Sequence, residues 1–257
     1  MSESSIFRWD GDQLSLLDYC DMSLSVIVAA DSWFVTDGRA LALDLHRSRF
    51  LASAPEAAAF WDAAIAAIPR EGDWFPRVEL HEPTRMIFRL RSAPERTRSV
   101  TLATWSAPDP RQVPLVKGPD LERLQAVRTA VQPSGADEAV ILSPDGYVVE
   151  GAYSALLWWR GDILCGPLDE LARIDSVTAR SVLTLARALG IDTHEEAVTP
   201  AELDGVELWA LNALHGIRIV TSWIDGPALA ERPGRLGQWR TRMDALRKPV
   251  GTTPATA

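Results

Sequence analysis

Residues 115–157 contain the pattern that most restricts how this chain can fold, because helical and extended segments alternate there at short intervals. Apolar residues at helical spacing follow Pro119 and stop before Gly135, which predicts a helix between them. Two short apolar segments then flank Pro144-Asp145-Gly146, which predicts a β-hairpin, and Glu150 stands at the end of its second strand. The segment therefore predicts a mixed α and β domain.

Lys117 opens this segment and is unusual for the composition of the chain. There are two lysines and twenty-four arginines, and the other lysine, Lys248, lies in a tail rich in Pro and Thr. A lysine amine can lose its proton or form a Schiff base, whereas an arginine guanidinium does neither. Two interpretations are open: Lys117 is a chance remainder in an arginine-rich chain, or its amine is needed for chemistry.

Glu150 is an acidic residue at the end of an apolar strand, before Gly151 and a third predicted strand at 155–159. A carboxylate in this position either lies at an exposed strand end or is the partner of a buried cation. The residues themselves leave both interpretations open.

Two predicted helices carry groups that suit a phosphate. The segment 44–52 predicts a short helix with Arg49, whose guanidinium geometry matches a phosphate dianion, although a solvated surface arginine is the ordinary alternative. Ser176 is the predicted N-cap of another helix, which places Val177 and Thr178 in its first turn. Unpaired backbone N–H groups in a first turn can hold a phosphate, and an ordinary helix cap is the alternative.

The composition describes an ordinary globular protein and argues against several functions. Hydrophobic residues make up 47% and charged residues 24%, and the formal net charge of −9 argues against a nucleic-acid partner. No apolar run approaches the roughly 20 residues that cross a bilayer, and the N-terminus lacks the order of a signal peptide. Cys20 and Cys165 show no metal-ligand spacing, so we expect free thiols, no metal site and a cytoplasmic location.

Turns and linkers divide the chain into four predicted segments. Ala107-Pro108-Asp109-Pro110-Arg111 is the best candidate for a linker. We therefore expect a small N-terminal α+β domain at 1–107, a linker at 108–116, a larger domain at 117–247 and a disordered tail at 248–257.

Several of these features occur together in one known family. The following motifs resemble the class IV, or branched-chain-type, aminotransferases of fold-type IV: Lys117, Ala136-Asp137-Glu138-Ala139, Asp145-Gly146-Tyr147-Val148, Glu150-Gly151, Ser176-Val177-Thr178 and Asn212-Ala213-Leu214-His215-Gly216-Ile217. The resemblance covers about 115 to 225 well. Before residue 110 it is thinner and rests on Asp37-Gly38-Arg39 and His46-Arg47-Ser48-Arg49. The gapless spacing from Lys117 to Glu150 is most similar to the aminodeoxychorismate lyase branch.

The resemblance implies a two-domain α+β fold of the D-amino acid and branched-chain aminotransferase type, a homodimer, and pyridoxal 5′-phosphate (PLP) as cofactor. It implies that Lys117 forms a Schiff base with PLP and that Glu150 pairs with the pyridine nitrogen. It assigns the cofactor phosphate to Arg49, Val177, Thr178 and Ala213. The implied substrate is a small amino or oxo acid or a related amine, with no nucleic-acid or membrane partner.

Departures from the family pattern leave the reaction open. Relatives have Asn and Tyr where this chain has Asp120 and Leu121, and a further Asn where it has Ala155; the substrate loop, around 81–91, is also shorter. Amino transfer through Lys117 is favoured. Elimination of the aminodeoxychorismate lyase type, giving 4-aminobenzoate and pyruvate, is the alternative, and a non-catalytic protein that retains the fold is the second alternative.

Four arginines lie in the predicted strands around this loop: Arg77, Arg85, Arg89 and Arg91. Solvated charges on a strand face are the ordinary interpretation for such residues. The alternative is that one of them meets a carboxylate of the substrate.

Overall fold

The structure, a computed structural model, describes residues 4–17 and 25–251. The described residues form strands β1 (Ser4–Trp9), β2 (Leu14–Leu16), β3 (Ile27–Ser32), β4 (Val35–Thr36), β5 (Arg39–Ala40), β6 (Asp73–Trp74), β7 (Arg77–His81), β8 (Arg85–Arg91), β9 (Ser99–Thr104), β10 (Glu138–Leu142), β11 (Val148–Gly151), β12 (Ala155–Arg160), β13 (Ile163–Pro167), β14 (Thr193–Glu196), β15 (Glu207–Asn212), β16 (Gly216–Ile224) and β17 (Lys248–Pro249). The α-helices are α1 (Leu43–Ser53), α2 (Ala58–Ala66), α3 (Leu121–Val131), α4 (Val177–Ala188) and α5 (Arg235–Ala245). Short 3-10 helices occur at Pro55–Ala57, Gln132–Ser134 and Pro200–Leu203.

The chain divides into two compact units that are not continuous in sequence. The first comprises Met1–Glu95, Val116–Pro119 and Asp244–Ala257, and the second comprises Arg96–Leu115 and Asp120–Met243. Lys117 is thus grouped with the N-terminal residues, whereas the sequence predicts a boundary just before it. The domain boundaries given above remain a prediction.

A five-stranded antiparallel sheet, in the order β2-β1-β8-β7-β3, is the frame of the first unit. Successive side chains of a strand point to opposite faces. One face carries apolar residues such as Val78 and Phe88, which belong to the same buried cluster as Phe50 of α1 and Phe60 of α2. Burial of this apolar face is the main force that holds the helices to the sheet.

The other face of this sheet carries charged side chains centred on Glu79. In the pairing of β7 with β8, Arg77 lies opposite Arg89 and His81 lies opposite Arg85, so their side chains share the face of Glu79. Charged and apolar residues therefore alternate along β7 and β8, but Glu79 itself is fully buried.

Three cationic or polar groups compensate the buried carboxylate of Glu79. Arg77 Nη2 and Arg89 Nε, the latter at 2.9 Å, contact Oε1, and His81 Nε2 lies 2.8 Å from Oε2. Burial alone would raise the pKa of Glu79, but the hydrogen bond from His81 and the charges of Arg77 and Arg89 outweigh it and lower the pKa to about 2. Glu79 is therefore ionised at neutral pH.

A smaller sheet, in the order β17-β5-β4-β6, also belongs to the first unit and corrects the prediction for the C-terminal tail. Lys248 and Pro249 pair with β5, and the N–H of Val250 donates to the carbonyl oxygen of Gly38 at 2.8 Å. The side chain of Val250 is buried in the same cluster as Phe50. The predicted disordered tail is thus wrong for 248–251, because pairing and burial hold this backbone; residues 252–257 lie outside the described part of the chain.

An eight-stranded mixed sheet, in the order β11-β10-β9-β16-β15-β12-β13-β14, is the frame of the second unit. Helix α3 packs against β10, where Leu124 and Val127 share a buried cluster with Ala139 and Ile141. Their spacing is the apolar stripe that the sequence predicts for this helix. Strand β11 ends with Glu150 and Gly151, as the hairpin pattern predicts.

The predicted α+β class is confirmed, as are the helices that follow Pro119 and Ser176. Cys165 is buried with a free thiol, and Cys20 lies outside the described residues. Among residues 4–17 and 25–251, no helix combines the length and apolar character needed to cross a bilayer.

We expect Glu79→Gln to lower the free energy of unfolding by about 3–5 kcal/mol at pH 7, because it leaves buried guanidinium groups without their counter-charge. The folded pKa of Glu79 is lowered, so its contribution is fully present above the ordinary value of 4.5 and is lost as pH falls toward about 2. Urea unfolding at pH 7 and pH 3 should therefore show a smaller difference at pH 3. The exposed Glu56→Gln should change stability by less than about 0.5 kcal/mol. An equal difference at both pH values would contradict the assignment.

Candidate active site

Lys117 is held by its backbone against strand β3 of the first unit. The N–H of Ala30 donates to the carbonyl oxygen of Lys117 at 2.7 Å. Gly118 follows with a φ of +133°, and a Cβ atom there would lie 2.7 Å from the nitrogen of Ala30. Only glycine can take this conformation at so close an approach, so the sequence Lys-Gly fixes where the lysine side chain begins.

The same strand carries Asp31, a fully buried carboxylate that holds two residues of α1. Arg49 donates to it from Nε at 2.8 Å and from Nη2 at 2.8 Å, and His46 Nδ1 lies 2.9 Å from Oδ1. His46 and Arg49 are three residues apart, so one carboxylate reaches both. The bidentate contact fixes the plane of the Arg49 guanidinium.

The charges in this cluster shift both titratable partners. Burial alone would raise the pKa of Asp31, but the charge of Arg49 and the hydrogen bond from His46 outweigh it and hold the pKa well below its usual range. Burial, together with the positive charges of Arg49 and Lys117, lowers the pKa of His46, and Asp31 opposes only part of that effect. His46 is therefore neutral at pH 7 and donates Nδ1–H to the ionised Asp31.

Glu150, in the second unit, is buried and forms an ion pair with Arg111. Arg111 Nη1 contacts Glu150 Oε1. Arg111 Nε and Nη2 donate to the Asp109 carboxylate, and Nη2 lies 2.6 Å from Oδ2. Burial alone would lower the pKa of Arg111, but the hydrogen bond to Asp109 and the charge of Glu150 outweigh it, and the pKa is raised. Of the two interpretations of Glu150, the structure supports the carboxylate that partners a buried cation.

A second buried acid, Glu138, holds the turn that follows Glu150. Its Oε2 accepts a hydrogen bond from Ser154 Oγ at 2.9 Å, and the N–H of Tyr153 lies 3.2 Å from the same oxygen. Arg218 Nη2 donates to Ser154 Oγ at 2.9 Å from the other side. Burial raises the pKa of Glu138, and the Ser154 hydrogen bond and the Arg218 charge offset only part of this. These contacts fix the chain just after Glu150.

The first turn of α4 begins at the N-cap that the sequence predicts. Ser176 is the N-cap, and its hydroxyl accepts a hydrogen bond from the N–H of Ala179 at 3.3 Å. The N–H groups of Val177 and Thr178 belong to the first turn, where a helix offers no partner of its own. Both residues are buried, which fits contact through the backbone.

Ala213 lies in the turn that joins β15 to β16. The side-chain oxygen of Asn212 accepts a hydrogen bond from the N–H of His215 at 2.8 Å and closes this turn. Burial and the charges of Arg218, Arg96 and other nearby arginines lower the pKa of His215 to about 4. The neutral ring accepts a hydrogen bond at Nδ1 from the N–H of Thr97 at 3.1 Å. The turn is thus rigid and surrounded by positive charge.

A cavity of about 770 Å³ lies beside α4 in the second unit. Val149, Leu157 and Ser176 are among its lining residues, whereas Glu150 and Thr178 are not. Adjacent residues of a strand face opposite ways, which explains why Val149 lines the cavity and Glu150 does not. This cavity therefore does not mark the position of Glu150 or Thr178.

The predicted site residues fall into two groups. Lys117 and Arg49 belong to the first unit; Glu150, Val177, Thr178 and Ala213 belong to the second. Residues to which the sequence analysis gave no role support both groups: Asp31 in the first unit, and Arg111, Glu138 and Arg218 in the second. The sequence signal available for Asp31 was an acidic residue near the end of an apolar strand, and for Glu138 it was an acidic residue at the start of one.

Comparison with known proteins found one matching family profile and one curated relative. The profile of the amino-transferase class IV family matches residues 29–223. A branched-chain-amino-acid aminotransferase from Pseudomonas aeruginosa is 30% identical over 86 residues, which are 34% of this chain and 27% of that protein. The match with this curated relative therefore spans about a quarter of the relative's length.

Solved structures show the same fold at low sequence identity. A fold IV transaminase from Curtobacterium pusillum has a TM-score of 0.78 and 16% identity, covering 94% of this chain and 97% of that one. A branched-chain aminotransferase from Thermoproteus uzoniensis, solved with norvaline, has a TM-score of 0.77 and 19% identity, covering 94% and 96%. A hypothetical aminotransferase from Mycobacterium tuberculosis in its PLP-bound form has a TM-score of 0.75 and 19% identity, covering 95% and 98%.

The structural matches confirm the predicted fold of the D-amino acid and branched-chain aminotransferase type, since they cover nearly the whole of each chain. The resemblance to the aminodeoxychorismate lyase branch stays a prediction. The family profile covers well over half of the residues. This chain therefore belongs to the class IV aminotransferase family.

Proposed function

We propose that this protein is a PLP-dependent aminotransferase that acts on an amino acid or a related amine through the amine of Lys117. One observation carries the proposal: the backbone of Lys117 is fixed against β3, in the same unit as the Asp31–Arg49 pair. A lysine whose backbone is held in this way can bring its amine only to positions within reach of its side chain from that fixed point, and such placement favours amine chemistry. We also propose a homodimer in the cytoplasm, from the family resemblance and the composition.

The chemistry of the side chains fits the cofactor. Arg49 is a guanidinium held flat by a buried carboxylate, and it suits a phosphate dianion. Val177 and Thr178 supply first-turn N–H groups, and Ala213 supplies backbone in a rigid turn. Glu150 is a buried carboxylate of the kind that pairs with a pyridine nitrogen. These residues would hold PLP together with Lys117.

When bound, PLP supplies an electron sink for the carbanion that forms when a substrate α-carbon loses its proton. Lys117 would hold the cofactor until a substrate amine displaces it, and its freed amine would then carry that proton to and from the α-carbon as a general base and acid. Glu150 would hold a proton on the ring nitrogen by accepting its hydrogen bond. Arg111 would orient the Glu150 carboxylate and balance its charge when the site is empty.

The departures from the family pattern have structural explanations. Asp120, which stands where relatives have Asn, accepts hydrogen bonds from the N–H groups of Gln112 at 3.0 Å and Val113 at 2.8 Å. It therefore shapes the loop that carries Arg111. Ala155 stands where relatives have a further Asn. The residue before it, Ser154, accepts a hydrogen bond from Arg218. These contacts keep both segments ordered despite the substitutions, which supports the enzyme over the non-catalytic alternative.

Elimination, as in aminodeoxychorismate lyase, is the second candidate function. It shares the amine of Lys117 and differs in the fate of the substrate carbanion. The gapless spacing from Lys117 to Glu150 and the presence of Leu121 where relatives have Tyr favour it.

We expect Lys117→Ala to abolish covalent attachment of PLP while the fold is retained, because the side chain is only partly buried and the backbone contact to Ala30 remains. Lys248→Ala is the matched control, since Lys248 is exposed on β17. Borohydride reduction followed by peptide mass mapping measures the site of attachment. A reduced adduct on Lys248 would reject the assignment.

We expect Glu150→Gln to lower turnover about a hundredfold or more while PLP is retained, because a neutral amide does not favour a protonated ring nitrogen. Turnover and bound cofactor, read from its visible absorbance, are measured on the same preparation. Glu122→Gln, an exposed carboxylate of α3, is the control and should leave both unchanged. Unchanged turnover in Glu150→Gln would mean that another group holds the ring nitrogen.

We expect the purified protein to transfer an amino group from an amino acid to a 2-oxo acid. Aminodeoxychorismate is incubated in parallel, with no oxo acid present. Amino transfer without release of 4-aminobenzoate confirms the first candidate. Release of pyruvate and 4-aminobenzoate without an oxo acid acceptor establishes the second candidate. If neither reaction occurs and the protein stays colourless on addition of PLP, the result favours the non-catalytic alternative.

A further inference from the structure

Arg218, on β16, is a buried arginine that forms no ion pair with an acidic residue in the described part of the chain. The residue is 6% exposed. Its Nη2 donates to Ser154 Oγ at 2.9 Å, whereas its Nε is buried and has no hydrogen-bond partner among residues 4–17 and 25–251. A buried charge without a counter-charge destabilises the folded state, so packing alone does not account for this guanidinium.

Glu138, the buried acid of the same cluster, is joined to Arg218 only through a hydroxyl group. Ser154 Oγ accepts the hydrogen bond from Arg218 and donates to Glu138 Oε2 at 2.9 Å. Burial lowers the pKa of Arg218; the charge of Glu138 offsets only part of this effect, and the charge of Arg128 adds to it. The guanidinium therefore lacks full compensation within its own cluster.

Arg218 lies at the edge of the eight-stranded sheet that carries the candidate site residues of the second unit. Asn212 Nδ2 lies 3.5 Å from the same Ser154 Oγ, and Ala213 follows Asn212 in the turn between β15 and β16. The N–H of Gly151, the last residue of β11, donates to the carbonyl oxygen of Ser154 at 2.7 Å. Ser154 thus connects the guanidinium to both turns at this edge.

The turn at Ala213 offers backbone donors that suit an anion beside this guanidinium. The N–H groups of Ala213 and Leu214 make no hydrogen bond to any residue that the structure describes. The next N–H, that of His215, is already bound to the side-chain oxygen of Asn212. Backbone N–H groups together with an arginine fork form a suitable site for a phosphate group.

The phosphate ligands proposed above carry little net positive charge without Arg218. Arg49 is paired with the ionised Asp31, and His46 is neutral, so this cluster of the first unit has no net charge. The first turn of α4 and the turn at Ala213 offer dipoles only. A phosphate monoester carries roughly two negative charges at neutral pH, which leaves a need for a further cation.

We propose that Arg218 is a further anion-binding residue of the cofactor site and that it takes the phosphate group of PLP together with the N–H of Ala213. The proposal rests on the function proposed above. The phosphate would supply the counter-charge that the Arg218 guanidinium lacks. Pyridoxal, which has the same ring and aldehyde but no phosphate, would gain nothing from Arg218.

Equilibrium dialysis with PLP and with pyridoxal, each followed by its absorbance, tests the proposal because the two compounds differ only in the phosphate group. We expect Arg218→Met to weaken PLP binding about tenfold or more and to leave pyridoxal binding unchanged. Arg98→Met is the matched control, since it makes the same substitution at an exposed position just before β9. It should bind both compounds as the unaltered protein does.

Thermal unfolding of the cofactor-free proteins separates anion binding from a role in the fold. Replacing a buried, uncompensated guanidinium with methionine should leave the unfolding temperature unchanged or raise it. A clearly lower unfolding temperature, or a variant that does not fold, would show that the fold itself requires Arg218 and would overturn the proposal.

The binding measurements have outcomes that separate this proposal from the proposed function. Equal weakening of PLP and pyridoxal in Arg218→Met, or an equal loss of PLP binding in Arg98→Met, would overturn the role of Arg218. If PLP binding depends on Arg218 but borohydride gives no adduct on Lys117, the phosphate contact stands and the proposed function fails. If the adduct forms on Lys117 and PLP binding does not depend on Arg218, the function stands and the phosphate contact fails.

Discussion

The buried carboxylate of Asp31 is the interaction on which the candidate site of the first unit depends. It cannot remain ionised inside the protein without partners, and α1 supplies them as His46 and Arg49. The residue before it, Ala30, holds the backbone of Lys117. Two consecutive residues of one strand therefore place the candidate amine and the candidate phosphate ligand, one through the main chain and one through a side chain.

Glu138, a buried acid of the second unit, has electrostatic surroundings that differ from those of Asp31. Glu138 also fixes a functional segment, but its partners are mostly neutral donors, and its pKa is raised where that of Asp31 is lowered. The difference follows from the bidentate arginine that Asp31 has and Glu138 lacks. A buried carboxylate can thus order a loop without a bidentate arginine, provided that hydroxyl and backbone N–H groups satisfy it.

Local patterns predicted much of this structure, and contacts between distant residues account for what they missed. The sequence predicted a short helix over the segment 44–52 that carries Arg49, and the hairpin pattern placed Glu150 at a strand end. The pairing of Glu150 with Arg111 joins residues 39 apart, and no periodicity encodes it. Arg111 even lay in the predicted linker. The tail was mispredicted for the same reason, because Val250 owes its order to pairing with a strand some 210 residues earlier, near Gly38.

Gly118 has a consequence for how the candidate lysine, Lys117, can move. Its main chain lies in contact with that of β3, so the peptide on the C-terminal side of Lys117 has no space into which to shift. The α-carbon of the lysine is then a stationary pivot. Displacement of the amine therefore comes from rotation about the side-chain bonds of Lys117 and not from a shift of its main chain.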